Sequence, residues 1–328
     1  MKEKLVMMNS IFNEISKSIE DSKNIAVVSH INPDGDNLGS LLGFGLSLVR
    51  FGKNVEFVKS DIIPEDYTFL PGADKLSGYG QSRKYLDLLI VLDSSDPTRL
   101  GDNKILLDEA KVVINIDHHV SNSMFGDIKL VDAKASSTGE IVYKLIEYLN
   151  LPIDSEIATC LYAAITTDTG RFSYQSVTGE THRIAAKLYD EGIDGYEINK
   201  RLYQTRSLKR TRLFSRAMAD MELLFDGKAA IIKISRKMLE ETGASMEDTE
   251  GIVEFLRDTD SVEAACLLKE IDENQVKVSI RTKNTIDANK ICSSFGGGGH
   301  IRASGCTISS TLDEAAVLLS EEISRHID

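Results

Sequence analysis

The chain has 328 residues, of which 42% are hydrophobic and 27% are charged. This composition is typical of a folded globular protein and excludes an intrinsically disordered or fibrous chain. Fifty-one acidic against thirty-eight basic side chains give a net charge of −13, which argues against a protein that coats long nucleic acid. The length suggests two domains.

The N-terminus is charged and continues with Met8, Ile11 and Ile15 at helical spacing, without the apolar block of a signal peptide. The longest apolar runs, 88–92 and 160–165, are far shorter than the roughly 18 residues that span a bilayer. We therefore expect a cytoplasmic protein that does not act at a membrane. The four cysteines form no C-x-x-C pair, and we expect reduced, buried thiols.

The first half of the chain alternates short apolar runs with helical patterns. The runs predict four strands, and the segments 38–50, 137–149 and 154–164 carry apolar residues at helical spacing; the strands are 25–28, 55–58, 88–92 and 112–116. Continuous apolar strands that alternate with helices are typical of a doubly wound, mostly parallel α/β sheet. We predict such a domain over residues 1–190.

A helical connector is predicted over residues 191–225. Within it, residues 200–216 contain seven Lys or Arg and no acidic residue, so this stretch is either a solvated helix face or a surface that steers anionic substrates. The remaining residues, 226–328, predict a smaller α+β domain. Its expected strands and helices are 229–234, 262–269, 275–281, 286–294 and 311–327.

Acidic and imidazole side chains follow three of the predicted strands. Because the carboxyl ends of parallel strands meet at one edge of a sheet, we expect these side chains to converge there; they are His30, Asp34, Asp36, Asp93, Asp117, His118 and His119, with Asp168 as a further candidate. Such an oxygen and nitrogen set without thiolate suits Mn²⁺ better than a structural zinc. Two divalent cations in one site indicate hydrolysis of a phosphoester.

Four consecutive glycines at 296–299 are followed directly by His300. Residues without Cβ let a backbone approach a ligand closely and turn N–H groups towards an anion. A plain flexible turn is the simpler alternative, but the run exceeds what a turn needs. We favour a clamp for a phosphate or a nucleotide.

Together these motifs resemble the DHH phosphoesterase superfamily. The first half carries the four metal motifs in the order of that family: His30-x3-Asp34-x-Asp36, Asp93, Asp117-His118-His119 and Thr167-Asp168-Thr169-Gly170. In the second half, the segments 278–281 and 296–305 resemble the DHH-associated domain. The resemblance spans nearly the whole chain and is strongest to the bifunctional oligoribonucleases and pAp phosphatases of this family.

The resemblance implies a role for each motif residue. One Mn²⁺ is expected on His30, Asp34 and Asp93, and a second on Asp36, Asp93, His118 and Asp168, with other divalent cations also compatible. His119 is expected to face the phosphate, and Asp117 to orient the neighbouring metal-bound imidazole. Substrate contacts are expected from the second domain, at Arg281, Gly297, Gly298, Gly299 and His300.

The family resemblance predicts a phosphoesterase for short oligoribonucleotides and for pAp. A phosphodiesterase of cyclic di-AMP or its linear product pApA is the main alternative. A family II inorganic pyrophosphatase shares the metal motifs but lacks the glycine-histidine signature, and a nucleotide sensor on an inactive scaffold should have lost a ligand. We expect no partner beyond nucleotides and short RNA, and a homodimer stays open.

Overall fold

The structure is a computed structural model that describes residues 2–78 and 86–327. It divides into two compact units, one up to Thr205 and one from Arg206. Within the described residues, no helix is both long and apolar enough to cross a membrane. All four cysteines are buried and none forms a disulfide, as expected.

The first unit alternates strands and helices along the chain. Its elements are α1 (Lys2–Asp21), β1 (Asn24–Val28), α2 (Gly35–Arg50), β2 (Asn54–Val58), β3 (Leu86–Leu92), α3 (Leu106–Glu109), β4 (Ala110–Asp117), β5 (Ile128–Val131), α4 (Thr138–Tyr148), α5 (Ser155–Asp168), α6 (Gly179–Asp190) and α7 (Gly195–Tyr203). All four strands predicted in this half of the chain are present, and β5 is an addition.

The five strands form one parallel sheet in the order β2-β1-β3-β4-β5. This confirms the predicted doubly wound α/β fold. The chain leaves β1 towards β2 on one side and later returns to β3 on the other, so the strand order reverses between β1 and β3. In open α/β sheets, ligands bind outside the carboxyl ends of the strands at such a reversal.

The two faces of this sheet are covered differently. One face carries the larger core, in which Ile25, Leu88 and Ile114 pack against the long helices. The other face carries a smaller core, in which Ala26, Leu89 and others pack against the short helical segments around Leu100 and Leu106. Both faces are therefore buried, which explains the continuous apolar strands.

A stripe of small residues on α2 lies against α5. A Cβ at Gly39 would overlap the carbonyl oxygen of Cys160, and one at Gly43 would lie 2.8 Å from a Leu161 methyl group. A Cβ at Gly35 would overlap the Thr167 side chain. These glycines allow the two helix backbones to approach closely, which brings the first turn of α2 next to the last turn of α5.

The second unit contains the remaining elements. They are α8 (Leu208–Ala219), β6 (Glu222–Leu224), β7 (Ala229–Ile234), α9 (Arg236–Thr242), α10 (Ile252–Arg257), β8 (Ala264–Asp272), β9 (Gln275–Thr282), α11 (Ala288–Ser293), β10 (Gly298–His300), β11 (Ala303–Ile308) and α12 (Leu312–Ser324). The strands form a mixed sheet in the order β10-β11-β9-β8-β7-β6, in which only β7 and β8 pair in parallel among the described strands. Helices cover both faces, which confirms a second α+β domain.

The basic stretch 200–216 is split between α7 and α8. Several of its cations are neutralised by carboxylates outside the stretch: Lys200 and Arg201 pair with Glu197, and Lys209 pairs with Asp248. Surface pairs of this kind make a steering role weaker than the bare charge count indicates.

Candidate active site

The structure brings all six predicted metal ligands to the carboxyl edge of the parallel sheet. His30 follows β1, Asp34 is the N-cap of α2 and accepts a hydrogen bond from the Asn37 N–H, and Asp36 lies in the first turn of that helix. Asp93 follows β3 directly, and His118 follows β4. Asp168 is the last residue of α5 and reaches the edge because α5 packs closely on α2.

The ligand atoms form three groups, and two of these contain Asp93. His30, Asp34 and Asp93 place their ligand atoms within 4.8 Å of one another, as do Asp93, His118 and His119, and His118 also belongs to the third group, with Asp36 and Asp168. The Nε2 atom of His118 lies 3.4 Å from Asp168 Oδ2 and 3.8 Å from Asp93 Oδ1, while His30 Nε2 lies 3.6 Å from Asp93 Oδ2. Asp93 therefore stands between His30 and His118, as expected for a bridging ligand.

Hydrogen bonds orient the two imidazoles. His30 Nδ1 lies 2.8 Å from the Ile31 carbonyl oxygen, and His118 Nδ1 lies 3.4 Å from that of Ala135. A carbonyl oxygen only accepts, so Nδ1 carries the proton and the lone pair is on Nε2. In both residues Nε2 is the nitrogen that faces the carboxylates. A histidine that binds a metal ion needs such a lone pair turned towards the other ligands.

The start of α4 holds two of the carboxylates, a role that the sequence did not reveal. The backbone N–H groups of Thr138 and Gly139 donate to the two oxygens of Asp36, at 2.6 and 2.8 Å. The Thr138 hydroxyl donates to Asp93 Oδ1 at 2.8 Å. The first N–H groups of a helix have no partner inside it, so Asp36 satisfies two of them. The Ser137-x-x-Glu140 pattern indicates a helix start, but not what that start binds.

The carboxylates of Asp36, Asp93 and Asp168 lie close together. Burial raises the pKa of Asp36 well above its usual 3.8, and the charges of Asp93 and Asp168 add to this. Burial also raises the pKa of Asp168 to about 6, against the opposing charge of His118. Within the described part of the chain, no Lys or Arg forms an ion pair with any of these three carboxylates. Divalent cations would relieve this repulsion.

Asp117 and His119 form a second hydrogen-bonded unit at the same edge. His119 Nδ1 lies 2.7 Å from Asp117 Oδ1, and the Asn122 amide donates to Asp117 Oδ2 at 2.6 Å. Burial lowers the pKa of His119, but the hydrogen bond with Asp117 and the charges of Asp93 and Asp117 outweigh it and raise the pKa to about 9. The imidazole that Asp117 orients is therefore His119 rather than the expected His118, because the turn after β4 points the His118 ring towards Ala135.

One cation of this edge escaped the sequence reasoning. Arg99 places its Nη2 atom 2.9 Å from Nδ1 and 3.2 Å from Nε2 of His30. Its position shortly after Asp93, in the turn that leaves β3, is the signal that points to it.

In the second unit, the predicted residues Gly298, Gly299 and His300 form the edge strand β10, and Arg281 lies two strands further in. Arg281 is on β9 and opposes Ala303 of β11, next to the edge strand β10 that ends in His300. Its guanidinium donates to Glu254 at 3.0 Å, so binding to a phosphate would exchange one anionic partner for another.

The glycine run departs from the expected clamp of N–H groups. The N–H groups of Gly297 and Gly299 donate to the Cys292 carbonyl and the Asn289 side chain, each at 2.9 Å. A Cβ at Gly297 would overlap the Gly305 carbonyl oxygen, whereas one at Gly298 would have only Asn289 Oδ1 nearby, at 3.6 Å. Packing against β11 explains why residue 297 is glycine, and leaves Gly298 as the position without a local structural reason.

Both units of the chain match known protein families. Residues 24–165 match the family model described as DHH family, N-terminal domain, and residues 226–325 match the DHHA1 domain. A protein of Thermus thermophilus named bifunctional oligoribonuclease and PAP phosphatase NrnA is 33% identical over 303 residues, covering 92% of this chain and 89% of the relative. The chain belongs to the DHH family.

Two further proteins are similar to this DHH protein over nearly its whole length. A Bacillus subtilis protein of the same name is 28% identical over 94% of this chain and 96% of its own length. The crystal structure of an exopolyphosphatase-related protein from Bacteroides fragilis has a TM-score of 0.92 at 28% identity, covering 97% of this chain and 96% of that one. The predicted family is thus confirmed, and the chain is a hydrolytic enzyme of the phosphoesterase class.

The donor set of this DHH protein fits divalent metal ions. Carboxylate oxygens and imidazole nitrogens surround Asp93, and no cysteine belongs to the groups that the described residues form. Such a set suits Mn²⁺ and related ions and does not resemble a structural zinc site. Buried carboxylates that repel one another, with histidine lone pairs turned towards them, have the chemistry that a cation would satisfy.

Proposed function

We propose that the chain is a Mn²⁺-dependent phosphoesterase that cuts short oligoribonucleotides to mononucleotides and removes the 3′-phosphate of pAp. The observation that carries this proposal is the position of Asp93 between two groups of ligands, since paired cations are typical of phosphoester hydrolysis. The names of the two relatives support the choice of substrates. We place this activity in the cytoplasm.

In this proposal each metal ion has its own ligands and shares Asp93. His30 and Asp34 would complete one site, and Asp36, His118 and Asp168 would complete the other. When bound, the ions lower the pKa of a water molecule and polarise the phosphoryl oxygens.

Neighbouring residues would orient the side chains that bind the metal ions. The N–H groups of Thr138 and Gly139 fix both oxygens of Asp36, and the Thr138 hydroxyl fixes one oxygen of Asp93. These hydrogen bonds orient the carboxylates that would bind the metal ions. Asp117 fixes the ring of His119 through Nδ1, and His119 would contact the phosphate.

The second unit would bind the nucleotide. We assign this role to His300, Gly298 and Arg281, of which Arg281 would release Glu254 when it binds a phosphate. Gly297 and Gly299 would act mainly by shaping the backbone, because their N–H groups are already engaged.

A substrate panel tests the function. Initial rates would be measured with pAp, a diribonucleotide, a longer RNA, cyclic di-AMP, pApA and pyrophosphate, in Mn²⁺, in Mg²⁺ and in EDTA, with the Asp93→Asn variant as the control for contaminating hydrolases. We expect the diribonucleotide and pAp to be hydrolysed fastest, with no activity in EDTA. Faster hydrolysis of cyclic di-AMP or pApA would favour the alternative function, and hydrolysis of pyrophosphate alone would contradict the proposal.

A further inference from the structure

The side chain of Arg99 lies over the imidazole of His30. Its Nη2 atom is 2.9 Å from one ring nitrogen and 3.2 Å from the other. An atom this close to both nitrogens cannot lie in the ring plane, where it would clash with the Cε1 atom between them. The guanidinium therefore rests on the ring face and leaves the in-plane lone pair of Nε2 to a metal ion.

The backbone holds Arg99 in this place. Its carbonyl oxygen accepts a hydrogen bond from the Ile31 N–H at 2.7 Å, which ties the turn after β3 to the turn after β1. Asp96 caps the 3₁₀ segment that carries Arg99, through the Thr98 N–H at 2.8 Å. The next residue, Leu100, is fully buried. The guanidinium thus starts from an anchored position, and little conformational entropy remains to be lost when it binds a ligand.

Among the described residues Arg99 forms no ion pair with a carboxylate, although its charge is close enough to Asp34 to oppose the rise in the pKa of that carboxyl. Other arginines of the first unit do pair: Arg50 with Asp154 and Arg201 with Glu197. A half-buried guanidinium has five N–H donors, and leaving them without an anion costs free energy. An anion from outside the chain would therefore complete the hydrogen bonding of this guanidinium.

We propose that Arg99 is a catalytic residue that binds the phosphate group of the substrate. This inference rests on the proposed phosphoesterase function and specifies how that site holds its substrate. The planar fork of a guanidinium matches two oxygens of a phosphate. The ligand carboxylates would nearly cancel two divalent cations, so Arg99 would supply the positive charge that a phosphate needs and that stabilises it as negative charge develops in the transition state.

Direct binding of inorganic phosphate tests this role without a nucleotide. Calorimetry would measure the affinity for Mn²⁺ first, and then the affinity of the Mn²⁺-loaded protein for phosphate, in the parent, Arg99→Met, Arg99→Lys and Arg50→Met proteins. Loss of one charged hydrogen-bonding group corresponds to about a ten- to hundredfold loss of affinity. We expect this loss of phosphate affinity in Arg99→Met, a smaller one in Arg99→Lys, and none in Arg50→Met.

The affinity for Mn²⁺ distinguishes two roles of Arg99: binding of the phosphate, and positioning of His30 as a metal ligand. We expect Arg99→Met to bind Mn²⁺ as well as the parent protein or more tightly, because a nearby positive charge is removed. A phosphate affinity that does not change, a parallel loss of Mn²⁺ and phosphate affinity, or no phosphate binding by the parent protein would each overturn the proposal. If Arg99→Met loses phosphate while no nucleotide of the panel is hydrolysed, the role of Arg99 stands and the proposed substrates are wrong.

Discussion

Replacing Asp168 by Asn should stabilise the metal-free protein at neutral pH. The folded protein raises the pKa of Asp168 from 3.8 to about 6, so below pH 4 this group favours the folded state. That contribution is lost as the pH rises through about 6, because the folded protein must then give up a proton that the unfolded chain has already released. Asn keeps the shape of the side chain and carries no charge, so the variant avoids the penalty.

The size of the effect follows from the shift and from the exposure of the side chain. A pKa of about 6 in place of 3.8 corresponds to about 3 kcal/mol of unfolding free energy at 1.36 kcal/mol per pKa unit. The side chain of Asp168 is 34% exposed, and screening by water reduces the repulsion at such a site. We therefore expect a gain of about 1–2 kcal/mol at pH 8 and none at pH 4.

Urea unfolding in EDTA between pH 4 and 8 measures this gain, with Asp74→Asn as a control that changes net charge at an exposed position. Adding Mn²⁺ should reverse the order, because a ligand that binds the folded state stabilises the parent more than a variant lacking one of its ligands. An Asp168→Asn gain that is equal at pH 4 and pH 8, or a loss of stability in EDTA at pH 8, would show that the raised pKa of Asp168 is not the cause.

Four more outcomes are expected. Asp93→Asn should lose hydrolysis of every panel substrate almost completely while its unfolding in EDTA is no less cooperative; activity above a tenth of the parent rate would contradict its shared position. Gly39→Ala should destabilise the first unit by roughly 1–3 kcal/mol through overpacking and weaken Mn²⁺ binding, as calorimetry would detect. Gly297→Ala should destabilise the second unit by a similar amount, whereas Gly298→Ala should fold normally and lose only nucleotide affinity; equal melting temperatures for the two would refute the packing argument. His300→Ala should bind Mn²⁺ normally but turn over nucleotides slowly, and unchanged kinetics would remove His300 from the substrate site.

The parts of the fold predicted from sequence are those with a strong local signal. The central strands β1, β3 and β4 are continuous apolar runs and were predicted within a few residues. The strands β5, β6 and β10 were not predicted from sequence, because they are only three or four residues long. Their strand character comes from pairing with neighbouring strands, which their own short sequences do not encode.

The same distinction holds for the site. His30, Asp93 and His118 closely follow strands, so topology alone places them together, whereas Asp168 ends helix α5 and reaches the site through the packing of α5 on α2. Thr138 contacts Asp93, and Arg99 contacts His30, although the two residues of each pair are far apart in sequence. The residues next to Thr138 and Arg99 do not indicate these contacts. The glycine run has a further role that its composition does not reveal: three of its N–H groups donate within the local fold. The ligand clamp stays a prediction.

The glycine stripe of α2 restricts how this enzyme can evolve. Asp36 and Asp168 lie on two different helices, and the distance between them depends on how deeply α2 and α5 interlock. A single methyl group at Gly39 would push α2 and α5 apart, and so would change the distance between Asp36 and Asp168. Selection on catalysis should therefore also act on Gly39, which has no side chain. The atoms that a Cβ there would overlap first are backbone atoms of Cys160 and Ala164, so a smaller side chain on α5 would not make room and the two helices would have to move apart.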